Sequence, residues 1–208
     1  MTGNDPHGEY GISKSRLEAL VDGIFAFAMT LLVTGLVIPQ LTKSEASAEL
    51  PGKIAAMRPE FFAFFIAFFI LASFWLVHHR NFHFVRAVNP MLVRINLFIL
   101  AFIVMVPFTT NISGDYPDTQ IAVCLFHLNL FIVGLLFLFH WWYMNKKTGT
   151  ISEGIDRRDA VNGFRRGFVV PMVSALAIFI SFASPPYSMA TYLLLIPSFW
   201  MVQRFSRD

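Results

Sequence analysis

Six apolar runs alternate with short polar segments along the chain, at residues 17–39, 61–79, 91–110, 120–143, 167–184 and 188–203. Charge, proline or glycine bounds each of them. A helix needs about 20 apolar residues to cross the hydrocarbon core, where its backbone polar groups must pair within the segment. The pattern therefore predicts an all-α integral membrane protein with six transmembrane helices, the last run being the shortest. No repeat, low-complexity tract or linker separates the runs, so residues 1–208 read as a single transmembrane domain.

The polar segments orient the runs, because Lys and Arg accumulate in short cytoplasmic loops. Lys14 and Arg16 precede the first run, and Arg80 and Arg86 separate the second from the third. Lys146, Lys147, Arg157, Arg158, Arg165 and Arg166 separate the fourth from the fifth, and Arg204 and Arg207 close the chain. On the other side, residues 111–119 carry Asp115 and Asp118 without Lys or Arg, and the turn Ser184-Pro185-Pro186-Tyr187 is uncharged. Both termini are thus expected in the cytoplasm. Segment 40–60 runs against the bias: Lys43, Lys53 and Arg58 mix with Glu45, Glu49 and Glu60 on the side assigned to the exterior. Segment 145–165 reads as a solvated charge run in preference to an amphipathic helix. Trp141, Trp142, Tyr143, Tyr187, Tyr192 and Trp200 cluster toward run ends and read as headgroup-level anchors.

Composition agrees with this reading: 56% of residues are hydrophobic and 14% charged, with a mean hydropathy of +0.60. The net charge of +3 resides between apolar runs, which argues against a nucleic-acid surface. Cys124 is the lone cysteine, so an intrachain disulfide and a thiolate cluster are excluded. Residues 1–15 lack the basic-then-apolar pattern of a cleaved signal, so the first run is expected to remain as a span. A phosphate loop, a dinucleotide fingerprint and a nucleophile elbow are missing, as are a TVGYG-type carbonyl filter and an arginine-repeated voltage sensor. Nothing calls for a cofactor.

Chemistry concentrates in the first run. Asp22 lies about one turn inside it, and a carboxylate at the centre of a span costs about 2.5 to 3.5 kcal/mol on insertion scales. Arg16 falls on another face and Glu18 would repel it, so a partner for Asp22 must come from another helix. Phe27, Thr30, Leu31, Thr34 and Ile38 follow a three-and-four spacing and form one stripe. Gly23, Ala26 and Gly35 leave room for close neighbours. The plain alternative is ordinary helix packing, with both threonines bonded back to carbonyls of the previous turn. A second cluster, Trp75-Leu76-Val77-His78-His79-Arg80-Asn81-Phe82-His83, ends the second run. His79 and His83 have a spacing suited to zinc but lack a third ligand and a His-Glu-x-x-His pattern, so a hydrogen-bond network with Asp22 is favoured over a metal site. His127 and His140 read as satisfied or interfacial residues.

These residues resemble the signature of the lysosomal-type potassium channel family, whose prokaryotic members are single six-helix repeats. Arg16, Asp22, Gly23 and Thr30-Leu31-Leu32-Val33 fit the family's first-helix pattern. Trp75 with His78-His79 looks like its second-helix motif, and Asn96-Leu97 with Pro107-Phe108-Thr109 like its third. Leu20-Val21 departs from the family's Phe-Ser, and Phe27 from its isoleucine or leucine. The resemblance implies a cell-membrane homotetramer that conducts potassium passively through a central pore lined by four first helices, with a hydrophobic constriction in place of a carbonyl filter. It implies Phe27 as the narrow ring, Thr30 as a polar ring above it, and Leu31 and Thr34 as the next layers. Arg16, Asp22, Trp75, His78 and His79 would brace the pore helix. Two rival readings are a proton- or cation-coupled secondary transporter, in which Asp22 and His78 titrate, and a metal-dependent membrane enzyme using His78, His79 and His83. The transporter lacks its usual sign, interrupted helices near the midplane, because Pro107, Pro171 and Pro197 lie nearer the ends of their runs.

Overall fold

Four helix starts coincide with side chains that accept hydrogen bonds from the free amides of a first turn. The structure, a computed structural model, describes residues 12–38 and 40–198. Ser13 caps α1 (Lys14–Leu31). Thr42 and Glu45 form a reciprocal capping box at α2 (Lys43–Ala56). Thr42 also holds the exposed Glu45 carboxyl below its ordinary pKa, through its side-chain and backbone hydrogen bonds. α3 (Arg58–His83) has Pro59 in its first turn, and Asn89 caps α4 (Pro90–Asp115), which opens on proline. α5 spans Gln120–Lys146, and Asp156 caps α6 (Arg157–Ser181). A short helix, α7 (Pro185–Ser188), leads into a 3-10 turn at Met189–Leu194.

Five of these segments are long and apolar enough to span a bilayer: 14–35, α3, α4, α5 and α6. The expected sixth run lies partly beyond residue 198, outside the described residues, as do Trp200, Arg204 and Arg207. Several boundaries differ from the sequence expectation. Segment 40–60 is largely α2, which buries no residue and has no apolar face for a hydropathy scan to find. α6 begins at Arg157, so half of the supposed charge run is helix. Glycine makes this possible: Gly163 and Gly167 lie against Trp141 and Leu138 of α5, where a side chain would collide. Pro171 consequently sits near the middle of α6, yet the helix runs through it without a break, its ring seated in the notch at Gly134. The rest of that polar segment is a turn joined to the α3–α4 loop, through Arg86 N–H to the Ile151 carbonyl (2.8 Å) and Glu153 N–H to the Phe84 carbonyl (2.9 Å).

α3, α4, α5 and α6 pack in sequence, α5 on α6 most extensively, and α1 leans on α3 and α4. The core runs from Leu17, Val21, Phe25, Ala28 and Leu32 of α1 through Phe74 of α3 and Ile99 of α4 to Phe137 of α5. Phe74 and Phe137 stack with centroids 5.0 Å apart. The aromatic anchors divide. Trp142 and Tyr187 are exposed, but Trp141, Tyr143 and Tyr192 are buried against protein, because they fall on the helix faces that meet neighbours.

Candidate pore helix and its supports

α1 presents two opposite stripes. Leu17, Val21, Phe25, Ala28 and Leu32, spaced by three and four, enter the core, and Asp22, Gly23, Ala26, Phe27, Thr30 and Thr34 are exposed. Phe27 retains 55% of its surface. Leu31, at the edge of the stripe, is half-buried. The helix tightens to 3-10 at Leu32–Gly35 and ends there, so Thr34 sits in a 3-10 turn and Ile38 falls beyond the regular helix. The cause is visible at Gly35, where a Cβ would overlap the Asn111 side chain of α4, drawing the two backbones together. Gly23 faces open space.

Both threonines bond back along the helix, three residues rather than four: Thr30 Oγ1 donates to the Phe27 carbonyl (2.8 Å) and Thr34 Oγ1 to the Leu31 carbonyl (2.7 Å). Each hydroxyl proton is thereby committed, and on these exposed residues the oxygen keeps its lone pairs as acceptors. An apolar ring beside exposed acceptors suits a path for a partly dehydrated cation.

Asp22 finds its partner on another helix, accepting a hydrogen bond from Trp75 Nε1 of α3 at 2.8 Å. His79 stacks on Trp75 with centroids 6.0 Å apart. His78 instead turns into the bundle, where Nε2 meets Asn96 Oδ1 of α4 at 2.7 Å. Asn96 Nδ2 donates in turn to the Leu92 carbonyl (2.8 Å), which fixes the amide so that Oδ1 accepts from His78. The result is two short links at one level, α1 to α3 and α3 to α4, rather than one network around Asp22. Arg16 is exposed and its side chain joins neither link. Among the described residues, no three His, Cys, Asp or Glu side chains converge as for a metal ion.

Of the two histidines expected to be satisfied or interfacial, one has both ring nitrogens hydrogen-bonded and the other has neither. His127 is enclosed, with Nδ1 3.1 Å from Tyr192 Oη and Nε2 2.8 Å from Ser188 Oγ. The Tyr192 hydroxyl donates to Ser174 Oγ (3.3 Å), so this cluster ties α5, α6 and the 185–194 segment together. The sequence offered no spacing signal for it, since its members come from three elements. His140 is also enclosed, beside the stacked rings of His78 and Phe82, but neither of its nitrogens has a partner among the described residues.

Comparison with known proteins agrees with the pattern on α1, α3 and α4. The family model described as "Endosomal/lysosomal potassium channel TMEM175" matches residues 16–107. A potassium channel of Streptomyces collinus is 27% identical over 185 residues, covering 86% of this chain and 88% of its own. The mouse endosomal/lysosomal proton channel TMEM175 is 31% identical over 63% of this chain, though only 28% of its own length. The fold matches the crystal structure of a lysosomal potassium-selective channel TMEM175 homolog from Chamaesiphon minutus with a TM-score of 0.78 at 24% identity, over 91% of this chain and 97% of that one. These relatives are ion channels, not enzymes. Residues 16–107, the part that resembles this family model, hold the exposed Phe27–Thr30 stripe, the Asp22–Trp75 link and the His78–Asn96 link.

Proposed function

We propose that this chain assembles as a homotetramer in the cell membrane and conducts cations passively, favouring potassium, through a central pore lined by four copies of α1. The observation that carries the reading is the outer stripe of α1. Phe27, Thr30 and Thr34 sit on an apolar helix and are exposed on the face turned away from the core of their own chain. Four such stripes around an axis would place a phenylalanine ring at the constriction and threonine oxygens beside it. Potassium sheds hydration more readily than sodium, so an apolar constriction penalises sodium more. The basic ends of the spans support cytoplasmic termini and an even span count.

The test is flux through proteoliposomes that hold the purified full chain, with outward potassium or sodium gradients and a dye that reports compensating proton entry. Potassium-driven flux well above sodium-driven flux supports the reading. Flux that appears only with a coupled proton or cation gradient, saturating as exchange, indicates a transporter instead. The mouse relative, a proton channel, dictates one control: a potassium ionophore without protonophore, under which dye quenching reports proton passage through the protein itself.

A further inference from the structure

A second polar feature lies away from α1, at the basic end of the bundle. A cavity of about 320 Å³ opens between the last turn of α3, the end of α5 and the start of α6. Arg80, Asn81 and His83 line it from α3, and Asn162 and Arg166 from α6. Trp141 of α5 forms a wall. Its indole N–H is committed to the Ala160 carbonyl at 3.1 Å, and Gly163 lies directly against its ring.

The donors around this cavity are unspent. Among the described residues the side chains of Arg80, Asn81, His83, Asn162 and Arg166 make no hydrogen bond or ion pair. Arg166 Nε is buried without a partner. The two guanidiniums lie close enough to repel each other, with the single carboxylate of Asp159 also on the lining and ion-paired to neither. Holding two like charges together beside an orphan donor is unfavourable unless an anion with several acceptor oxygens sits between them. Guanidinium forks match a phosphate in geometry as well as charge. The level is that of lipid headgroups: nearby Trp142 is exposed, and the Lys146 ammonium lies 5.0 Å from its ring centroid.

We propose that the α3–α5–α6 pocket binds a phosphate-bearing anion, with Arg80 and Arg166 clamping the phosphate and Asn81, His83 and Asn162 setting its orientation. The phosphate reaches the pocket either on an anionic lipid or on a soluble molecule. Basic pockets between spanning helices recognise anionic headgroups in this way.

Native mass spectrometry of the detergent-purified full chain separates the sources, with phosphatidylglycerol, phosphatidylcholine or inorganic phosphate added one at a time. Retained phosphatidylglycerol without phosphatidylcholine identifies a lipid site. Retained phosphate without either lipid identifies a soluble one. Arg80→Gln with Arg166→Gln should weaken retention by roughly thirtyfold, given what two basic side chains contribute near an anionic surface. Arg157→Gln with Arg165→Gln removes the same charge from exposed positions on α6 and should leave retention unchanged. Asn162→Phe fills the pocket while keeping both arginines and should abolish retention even if the double arginine variant fails to fold. Equal loss in both double arginine variants, full retention in Asn162→Phe, or no retention of either anion by the unaltered chain would overturn the proposal.

Discussion

Trp75 of α3 donates its indole N–H to the Asp22 carboxylate of α1 at 2.8 Å, across 53 positions of sequence. α1 has the least buried window of the five candidate spans, at 28%, so few contacts hold it in place. A hydrogen bond between spanning helices contributes about 0.6 kcal/mol on average and up to about 1.7. Trp75→Phe, which keeps an aromatic ring and removes the donor, is expected to destabilise the protein by at least that much. In a double-mutant cycle with Asp22→Ala, thermal unfolding in detergent should give a coupling of similar size. Additive effects would show that the bond does not anchor α1.

Spacing singled out one stripe of α1, through Phe27, Thr30 and Thr34, because a helix face writes itself into a three-and-four periodicity; the opposite stripe, Leu17 to Leu32, is equally apolar in sequence and only its burial distinguishes it. The need for a partner to Asp22 was equally legible from the cost of a carboxylate in a span. α2 was not, since it buries nothing and carries Pro51 within it; the Thr42–Glu45 capping box was its one available signal. The start of α6 was hidden for a different reason. Arginines dominate its first turns, and the glycines that let it reach Trp141 register as helix breakers in a one-dimensional reading. The His127 cluster depends on tertiary neighbours alone.

The His78–Asn96 bond is buried, and Asn96 also donates to Leu92 within its own helix. Asn96→Leu keeps the volume but leaves His78 Nε2 without a partner in the interior. An orphaned buried group costs about 1–3 kcal/mol, so this variant should lower the melting temperature clearly. Replacing both partners, with His78→Phe added, should recover much of the loss, because no polar atom is then stranded. Failure to recover would mean that His78 contributes through its ring contacts with Phe82 rather than through Asn96.

Close approach at Gly35 gives a third expectation. Gly35→Ala places a methyl group inside the Asn111 side chain, forcing the end of α1 away from α4. Overpacking of this kind costs about 1–3 kcal/mol. Gly35→Ala combined with Asn111→Ala should be more stable than Gly35→Ala alone, measured by thermal unfolding in the same detergent. If the second substitution only adds to the loss, the strain is in the backbone of the 3-10 turn and not in the side-chain collision.

The outer stripe of α1 makes a prediction in which two neighbouring residues act with opposite sign. Phe27 is apolar and exposed, and in a ring of four it would oppose wetting of the path, so Phe27→Ala should raise flux severalfold and reduce the preference for potassium over sodium. Thr30 stands one turn further along with its proton committed to the Phe27 carbonyl, offering only lone pairs to a passing cation. Thr30→Val preserves shape and removes that oxygen, so it should lower potassium flux, and Thr30→Ser should retain most of it. Proteoliposome flux for the three variants, at matched reconstituted protein, decides the matter. Unchanged flux in all three would place the conduction path away from this stripe. If Thr30→Val raises flux as Phe27→Ala does, the threonine belongs to the barrier rather than to the cation's coordination.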